Sequence, residues 1–195
     1  MASHLPSLKR NRFFRFLYRP TILPRARKKV ATILPHLEEN RRILDIGSGN
    51  GGVGFLLKER GCDIECCDIA DSSYFESVPI TVFQSGQLPY SDNQFDTGLL
   101  LTVLHHTAHP EAVLQEANRV CRQLIIIEDI YTSKTHKYLT FKMDSLVNWE
   151  WKGHPHSNKT DLEWESALKN LGLTLLHKEK MKVLGYFQQR LYIVS

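Results

Sequence analysis

The sequence predicts an α/β fold: a mostly parallel sheet of seven strands with helices on both faces and an antiparallel hairpin at its C-terminal end. Three observations carry this. Short apolar runs recur at 43–46, 62–69, 79–83, 97–103 and 123–127, most of them ending in an acid or a polar turn. Helical periodicity fills stretches between them, and strands that alternate with helices pair in parallel through right-handed crossovers. The last two runs, 173–183 and 186–194, turn at Gly185 and read as a hairpin.

Size and composition are those of one soluble domain: 195 residues, 42% hydrophobic and 24% charged. No apolar run approaches the roughly 20 residues that span a bilayer, and no signal-peptide core opens the chain. The four cysteines, Cys62, Cys66, Cys67 and Cys121, lack zinc-ligand spacing, so a reduced, cytoplasmic setting and no metal are expected. Net charge is +4, yet residues 1–37 hold nine Lys or Arg and no acid, while the remainder carries −5.

Residues 1–24 therefore read as a basic arm ahead of a single domain, 25–195. Phe13, Phe14, Phe16, Leu17 and Tyr18 interleave with Arg12, Arg15 and Arg19. That pattern suits peripheral contact with an anionic membrane through residues 9–29. Other readings are a nucleic-acid backbone, an organellar targeting segment, and a helix whose aromatics pack on the domain. Pro20 and Pro24 are expected to break the arm, with a helix from about Arg25 to Pro35.

The first strand ends at Asp45 and runs into Gly47-Ser48-Gly49-Asn50-Gly51-Gly52, with a helix beginning at Val53. Glycines belong there because the turn needs positive φ and a ligand must approach the backbone. Gly47, Gly49 and Gly52 fit G-x-G-x-x-G, a dinucleotide fingerprint. Asp45, Gly47, Gly49 and Gly51 equally fit D-x-G-x-G-x-G, and so resemble class I S-adenosylmethionine-dependent methyltransferases. Asp45 would repel a pyrophosphate, whereas a cofactor with an ammonium group could use it. Asp68 ends the second strand 19 residues beyond Gly49, the interval at which an acid reaches a ribose in either case.

The later segments decide between the two. Leu88-Pro89-Tyr90, with Phe95-Asp96 opening the fourth strand, is similar to the "LPF…FD" segment of the methyltransferase group that includes ubiquinone- and menaquinone-biosynthesis enzymes. Leu104-His105-His106, followed by the 110–120 helix with Glu116, Arg119 and Val120, resembles the same group's "LHH…P…L.E..RV". The resemblance covers about 42–129. It implies a Rossmann-like fold and S-adenosylmethionine as cofactor, held by Asp45, Gly47, Ser48, Gly49, Gly51, Asp68, Ile69, Gln84 and Ser85. At Gln84 the chain departs from the group, which commonly has an aspartate accepting from the adenine amine; an amide oxygen accepts the same bond without charge.

Strand-end residues converge on one crevice in such sheets. The candidates for acid–base work there are His105, His106, Glu128 and Asp129, histidine being the natural base near neutral pH. Residues 131–160 read as a substrate lid, with Tyr131, Trp149, His154 and His156 facing a partly apolar small molecule. Thr160 or Asp161 then caps a helix that ends before Gly172. The expected function is methyl transfer to a small molecule. The alternative is a non-catalytic methyltransferase-like subunit docking through its arm.

Overall fold

The structure, a computed structural model, describes residues 12–39, 41–84, 86–132, 157–183 and 187–195, with side chains from Pro20 onward except at Val183. Residues 133–156 of the expected lid and the turn at Gly185 lie outside these residues. Element order is α1 (Arg12–Ile33), a 3₁₀ turn (Leu34–His36), β1 (Arg42–Ile46), α2 (Gly52–Lys58), β2 (Asp63–Asp68), β3 (Ile80–Val82) and β4 (Phe95–Leu101). A second 3₁₀ turn (Leu104–His106), α3 (Pro110–Val120), β5 (Cys121–Ile130), α4 (Asp161–Asn170), β6 (Leu175–Val183) and β7 (Phe187–Val194) follow.

The seven strands form one sheet in the order β3-β2-β1-β4-β5-β7-β6. The first five pair in parallel, and β7 inserts antiparallel between β5 and β6. This is the expected fold, with the hairpin extending one edge.

Strand alternation divides the core into two layers. Ile43, Leu99, Ile125, Leu191 and Ile193 meet Ala26, Val30 and Ile33 of α1 and Leu56 and Leu57 of α2. Leu44, Ile46, Leu100, Leu124, Ile126 and Tyr192 meet Leu114, Ala117 and Val120 of α3 and Trp164 and Leu168 of α4. Near-continuous apolar strands are what a sheet covered on both faces requires.

Three expectations need correction. The first helix does not begin near Arg25; it runs from Arg12 to Ile33 with Pro20 and Pro24 inside it. Proline removes a donor and crowds the carbonyl four residues back, but both prolines lie on the exposed side while Ile22, Leu23, Ala26 and Val30 on the other pack inward. Anchoring of that apolar side holds the helix together. Second, the connections from β2 to β3 and from β3 to β4 are not helical where described. In the first, Phe75 and Val78 do a helix's work, Phe75 being buried and stacked on Phe55 with ring centroids 4.4 Å apart. Third, β4 stops at Leu101, because Thr102 adopts φ 61°. That is unusual for a β-branched residue and marks local strain.

α2 lies close against β2 because Gly54 has no side chain. A Cβ there would overlap the Cys66 sulfur and sit 3.1 Å from Val78. Gly54→Ala gains helix propensity of at most ~1 kcal/mol and overpacks the site by about 1–3 kcal/mol. A lower denaturation midpoint is the expected result.

Candidate functional site

The loop after β1 is set by three positive-φ glycines, Gly47, Gly49 and Gly51, at 72°, 55° and 73°. They differ in what surrounds them. A Cβ on Gly47 would come within 2.7 Å of Val103, and one on Gly51 within 2.8 Å of the Ser73 hydroxyl. At Gly49 a Cβ would meet no atom within 4 Å. Gly47 and Gly51 thus permit packing, whereas Gly49 borders open space that a ligand can enter.

The loop is tied to the end of β2. Gly47 N and Ser48 N donate to Cys67 O at 2.9 and 3.2 Å. Gly49 N donates to Asp68 Oδ2 at 2.7 Å, and Ile69 N to Asp68 Oδ1 at 2.7 Å. Asp68, expected to face a ribose, therefore also orients the glycine loop. Two carboxylate oxygens accept about four hydrogen bonds, so these two leave capacity. Ile69 beside it is 67% exposed, large for an isoleucine, and Gln84 beyond β3 is exposed too. Ser85 lies outside the described residues.

Asp45, at the end of β1, is 3% exposed, and its Oδ2 has no hydrogen-bond partner among the described residues. Burial pushes its carboxyl up to about 7; Lys29 opposes the shift and Asp68 adds to it. A buried acid left in this state is costly unless it meets a cation or donor.

Lys29 is the residue that sequence reasoning missed. From α1 its Nζ donates to Leu101 O and Thr102 Oγ1, both at 2.8 Å. Burial lowers its pKa, while Asp45, Asp129 and Glu128 act to raise it. Counted with eight other basic residues in the acid-free stretch 1–37, it instead turns inward. Its register was the signal: position 29 falls in the buried stripe of Ala26, Val30 and Ile33.

Across the crevice the turn after β4 is fastened to β5. Glu128, fully buried, accepts from Val103 N at 2.8 Å and Leu104 N at 2.7 Å. Its other oxygen accepts from His105 Nδ1 at 2.5 Å, an assignment of the ring proton that the carboxylate dictates. His105 is 1% exposed and lies against His106 with centroids 4.1 Å apart. His106 is half-buried. Of the four acid–base candidates, His105 and Glu128 are bound to each other and to the backbone. Asp129 points to the opposite face and accepts from Gln189 Nε2 at 2.9 Å.

Of the lid candidates, Trp149, His154 and His156 lie outside the described residues. The Tyr131 hydroxyl donates to Glu163 at 3.4 Å in the first turn of α4. The chain returns at Ser157, whose N donates to His105 O at 3.2 Å and whose Oγ donates to Leu104 O and Thr107 O at 3.0 Å. The chain thus resumes beside the His105 turn after the 133–156 stretch.

The segments that carried the resemblance prove to be a staple. Glu116 on α3 accepts from Leu88 N at 3.0 Å, while Arg119 donates to Leu88 O at 3.1 Å and Tyr90 O at 2.9 Å. Leu88-Pro89-Tyr90 and the Glu–x–x–Arg of the helix are two halves of one contact that shapes the loop after β3.

Sheet order, glycine loop and strand-end acids define a doubly wound protein with a crevice at the carboxyl ends of its strands, where ligands of such sheets bind. Residues 44–124 match the family model described as a methyltransferase domain. With the fold, this match supports a class I S-adenosylmethionine-dependent methyltransferase. It is 24% identical over 136 aligned residues to the ubiquinone/menaquinone biosynthesis C-methyltransferases UbiE of Rickettsia felis and Rickettsia akari, covering 56% of this chain and 54% of theirs. The chain thus spans about half the length of the curated relatives it matches. Among solved structures, a SAM-dependent methyltransferase from Archaeoglobus fulgidus superposes with a TM-score of 0.72 at 16% identity, over 92% of this chain and 98% of that one. Magnesium protoporphyrin IX methyltransferase (ChlM) from Synechocystis PCC 6803, with bound SAH, gives 0.61 at 17% identity, over 91% and 83%. Among the described residues no helix is long and apolar enough to cross a membrane.

Proposed function

We propose that the chain binds S-adenosylmethionine in the crevice over β1, β2 and β3 and transfers its methyl group to a small, partly apolar molecule. The observation that carries this is Asp45: a buried carboxylate with an unpartnered oxygen at the head of a glycine loop whose Gly49 borders open space. A cofactor bearing an ammonium satisfies that oxygen; one bearing a pyrophosphate does not.

When bound, the sulfonium supplies an activated methyl group for in-line displacement. The chain's own residues hold and enclose it. Asp45 meets the ammonium, and Asp68 accepts from the ribose hydroxyls with the lone pairs left beyond Gly49 and Ile69. Ile69 offers an apolar surface to the base, and Gln84 an acceptor to its amine. On the acceptor side the exposed edge of His106 is the candidate general base. His105 and Glu128 act as positioning residues that fix the turn carrying it. Trp149, His154 and His156 remain the proposed lid, and an apolar acceptor is inferred from their composition.

Calorimetry with S-adenosylmethionine or its demethylated product tests the reading, and binding of either is expected. Asp68→Ala should weaken it by about 1–3 kcal/mol, the worth of hydrogen bonds to a charged group. No binding by the intact chain overturns the proposal, and unchanged affinity in the variant removes Asp68 from the site.

The second reading is a non-catalytic subunit docked through residues 9–29. It draws on Arg25, Arg27 and Lys28, all exposed on α1. Flotation of the full chain with anionic liposomes at low salt tests it. Truncation at residue 24 would be a poor test, since Ile22 and Leu23 pack on the core.

A further inference from the structure

Away from the crevice, α1 meets the outer edge of the sheet. β6 is that edge strand, and β4, β5 and β7 stand between it and β1. Alternation along β6 puts its odd-numbered residues on the face that α1 covers: His177 is in register with Ile193 and Glu179 with Leu191, and both partners belong to the α1-side layer. The 3₁₀ turn that ends α1 brings His36 over the same two side chains. The His36 and His177 rings lie with centroids 4.9 Å apart and planes tilted by 38°. One ligand atom from each of His36, His177 and Glu179 can be chosen so that all three lie within 4.8 Å of one another.

From this juxtaposition we propose a transition-metal site formed by His36, His177 and Glu179, taking Zn²⁺ or a neighbouring divalent ion of the borderline class. Two imidazoles and one carboxylate form the donor set that such ions prefer over Mg²⁺ or Ca²⁺, which want oxygen alone. It is also a three-ligand set that leaves one position of a tetrahedral ion to water. With metal–ligand bonds of about 2.0–2.2 Å, ligand atoms stand about 3.4 Å apart around such an ion, so the three need to close by about an ångström. Side-chain rotation supplies that, because His177 and Glu179 are exposed and His36 half so. Their backbones are fixed already: β6 is paired along its length with β7, and Leu37 N closes the turn on Leu34 O at 3.2 Å.

The ion would join the end of the first helix to the last-but-one strand. A second link exists nearby, Lys28 Nζ donating to Lys182 O at 3.2 Å. The site therefore acts as a staple on the edge strand. It needs neither the glycine loop nor methyl transfer, and it stands whether or not that reading holds.

The test is titration of untagged, chelator-stripped full-length protein with Zn²⁺, followed by calorimetry and thermal melting, with Co²⁺ as a coloured substitute. The expected result is one saturable equivalent per chain, a rise in Tm with the ion, and visible bands of four-coordinate cobalt. His36→Ala and His177→Ala should each weaken binding at least about tenfold, Glu179→Gln should weaken it measurably, and the double histidine variant should show no Tm rise. A His154→Ala/His156→Ala variant, which leaves the three proposed ligands in place, should keep all three signals. The proposal is overturned by absence of saturable binding in the parent chain, by unchanged binding in the His36→Ala/His177→Ala variant, or by loss of binding in the His154→Ala/His156→Ala variant alone. Unchanged binding in Glu179→Gln would strike the carboxylate from the site, and with it the three-ligand assignment.

Discussion

Asp45→Asn is expected to bind S-adenosylmethionine between about tenfold and a hundredfold more weakly than the parent chain. The charge-assisted bond that the carboxylate would make to an ammonium is worth about 1.5–3 kcal/mol, and asparagine keeps the shape while losing the charge. The pH dependence separates this from mere loss of packing. The Asp45 carboxyl stands at about 7 in the folded, ligand-free chain, so the parent's affinity should rise with pH through that value as the carboxylate forms, whereas the variant's should stay flat. Stability should move the other way. With the folded value above the unfolded one, the folded state holds a proton that the unfolded chain has released between about pH 4 and 7. The ligand-free parent therefore loses stability across that window as pH rises, and Asp45→Asn does not. Calorimetric titration at several pH values, together with denaturation of the ligand-free proteins, measures both. An affinity in Asp45→Asn equal to the parent's would remove Asp45 from the site.

Glu128→Ala should be the most destabilising single change in the crevice. It strands the Val103 and Leu104 N–H groups, which the carboxylate accepts at 2.8 and 2.7 Å, together with the ring of His105, which is 1% exposed. Removing one member of a buried, hydrogen-bonded pair costs about 3–5 kcal/mol. For a chain of this size that lowers Tm by roughly 10 °C. Glu128→Gln should fall between, since one amide oxygen can still take the backbone donors while the NH₂ group faces the ring. A Tm within a degree or two of the parent for Glu128→Ala would mean that the turn is held by other contacts, chiefly those of Ser157. His105, its Nδ1 bound to Glu128, serves instead as a positioning residue. If His106 is the base, His106→Ala lowers turnover while leaving cofactor affinity in place.

Much of this architecture was legible in the sequence because it rests on local chemistry. Apolar runs marked β1, β2, β4 and β5, all but β4 ending in acids, and the turn glycines at 47, 49 and 51 marked the loop. Thr160 as a cap was legible for the same reason: its side chain and that of Glu163 satisfy each other's backbone N–H groups, a pattern written within four residues. Errors came where tertiary anchoring overrode a local rule. Two prolines suggested a break in α1, but the buried side of the helix spans both. Strand-like residues at Thr102 and Val103 suggested a longer β4, but Thr102 is drawn into a left-handed conformation beside the Lys29 contact.

The functional residues divide in the same way. The spacing between Gly49 and Asp68 was read as an acid reaching a ribose, and the fold also places the Asp68 carboxylate on the Gly49 N–H. By contrast, the Leu88-Pro89-Tyr90 and Glu116–Arg119 segments were read only as likeness to a family. Their coupling joins residues 28 to 31 apart in sequence, and no periodicity expresses that. Lys29 was hidden for a related reason. In sequence it is one more positive charge in a basic segment, and only the packing of α1 on the sheet turns it toward Asp45. His36 and His177 share nothing in the sequence at all, being 141 residues apart.

What the sequence by itself determined, then, is the run of elements, the cofactor-type loop and the acids at the ends of β1 and β2, because each follows from burial periodicity or backbone geometry over a few residues. Tertiary structure alone decided which histidine is locked and which is half-open, which lysine faces the crevice, and which side chains meet at the sheet's edge. Those depend on which distant elements share a face, and an amino-acid order fixes that only once the whole sheet has been assembled.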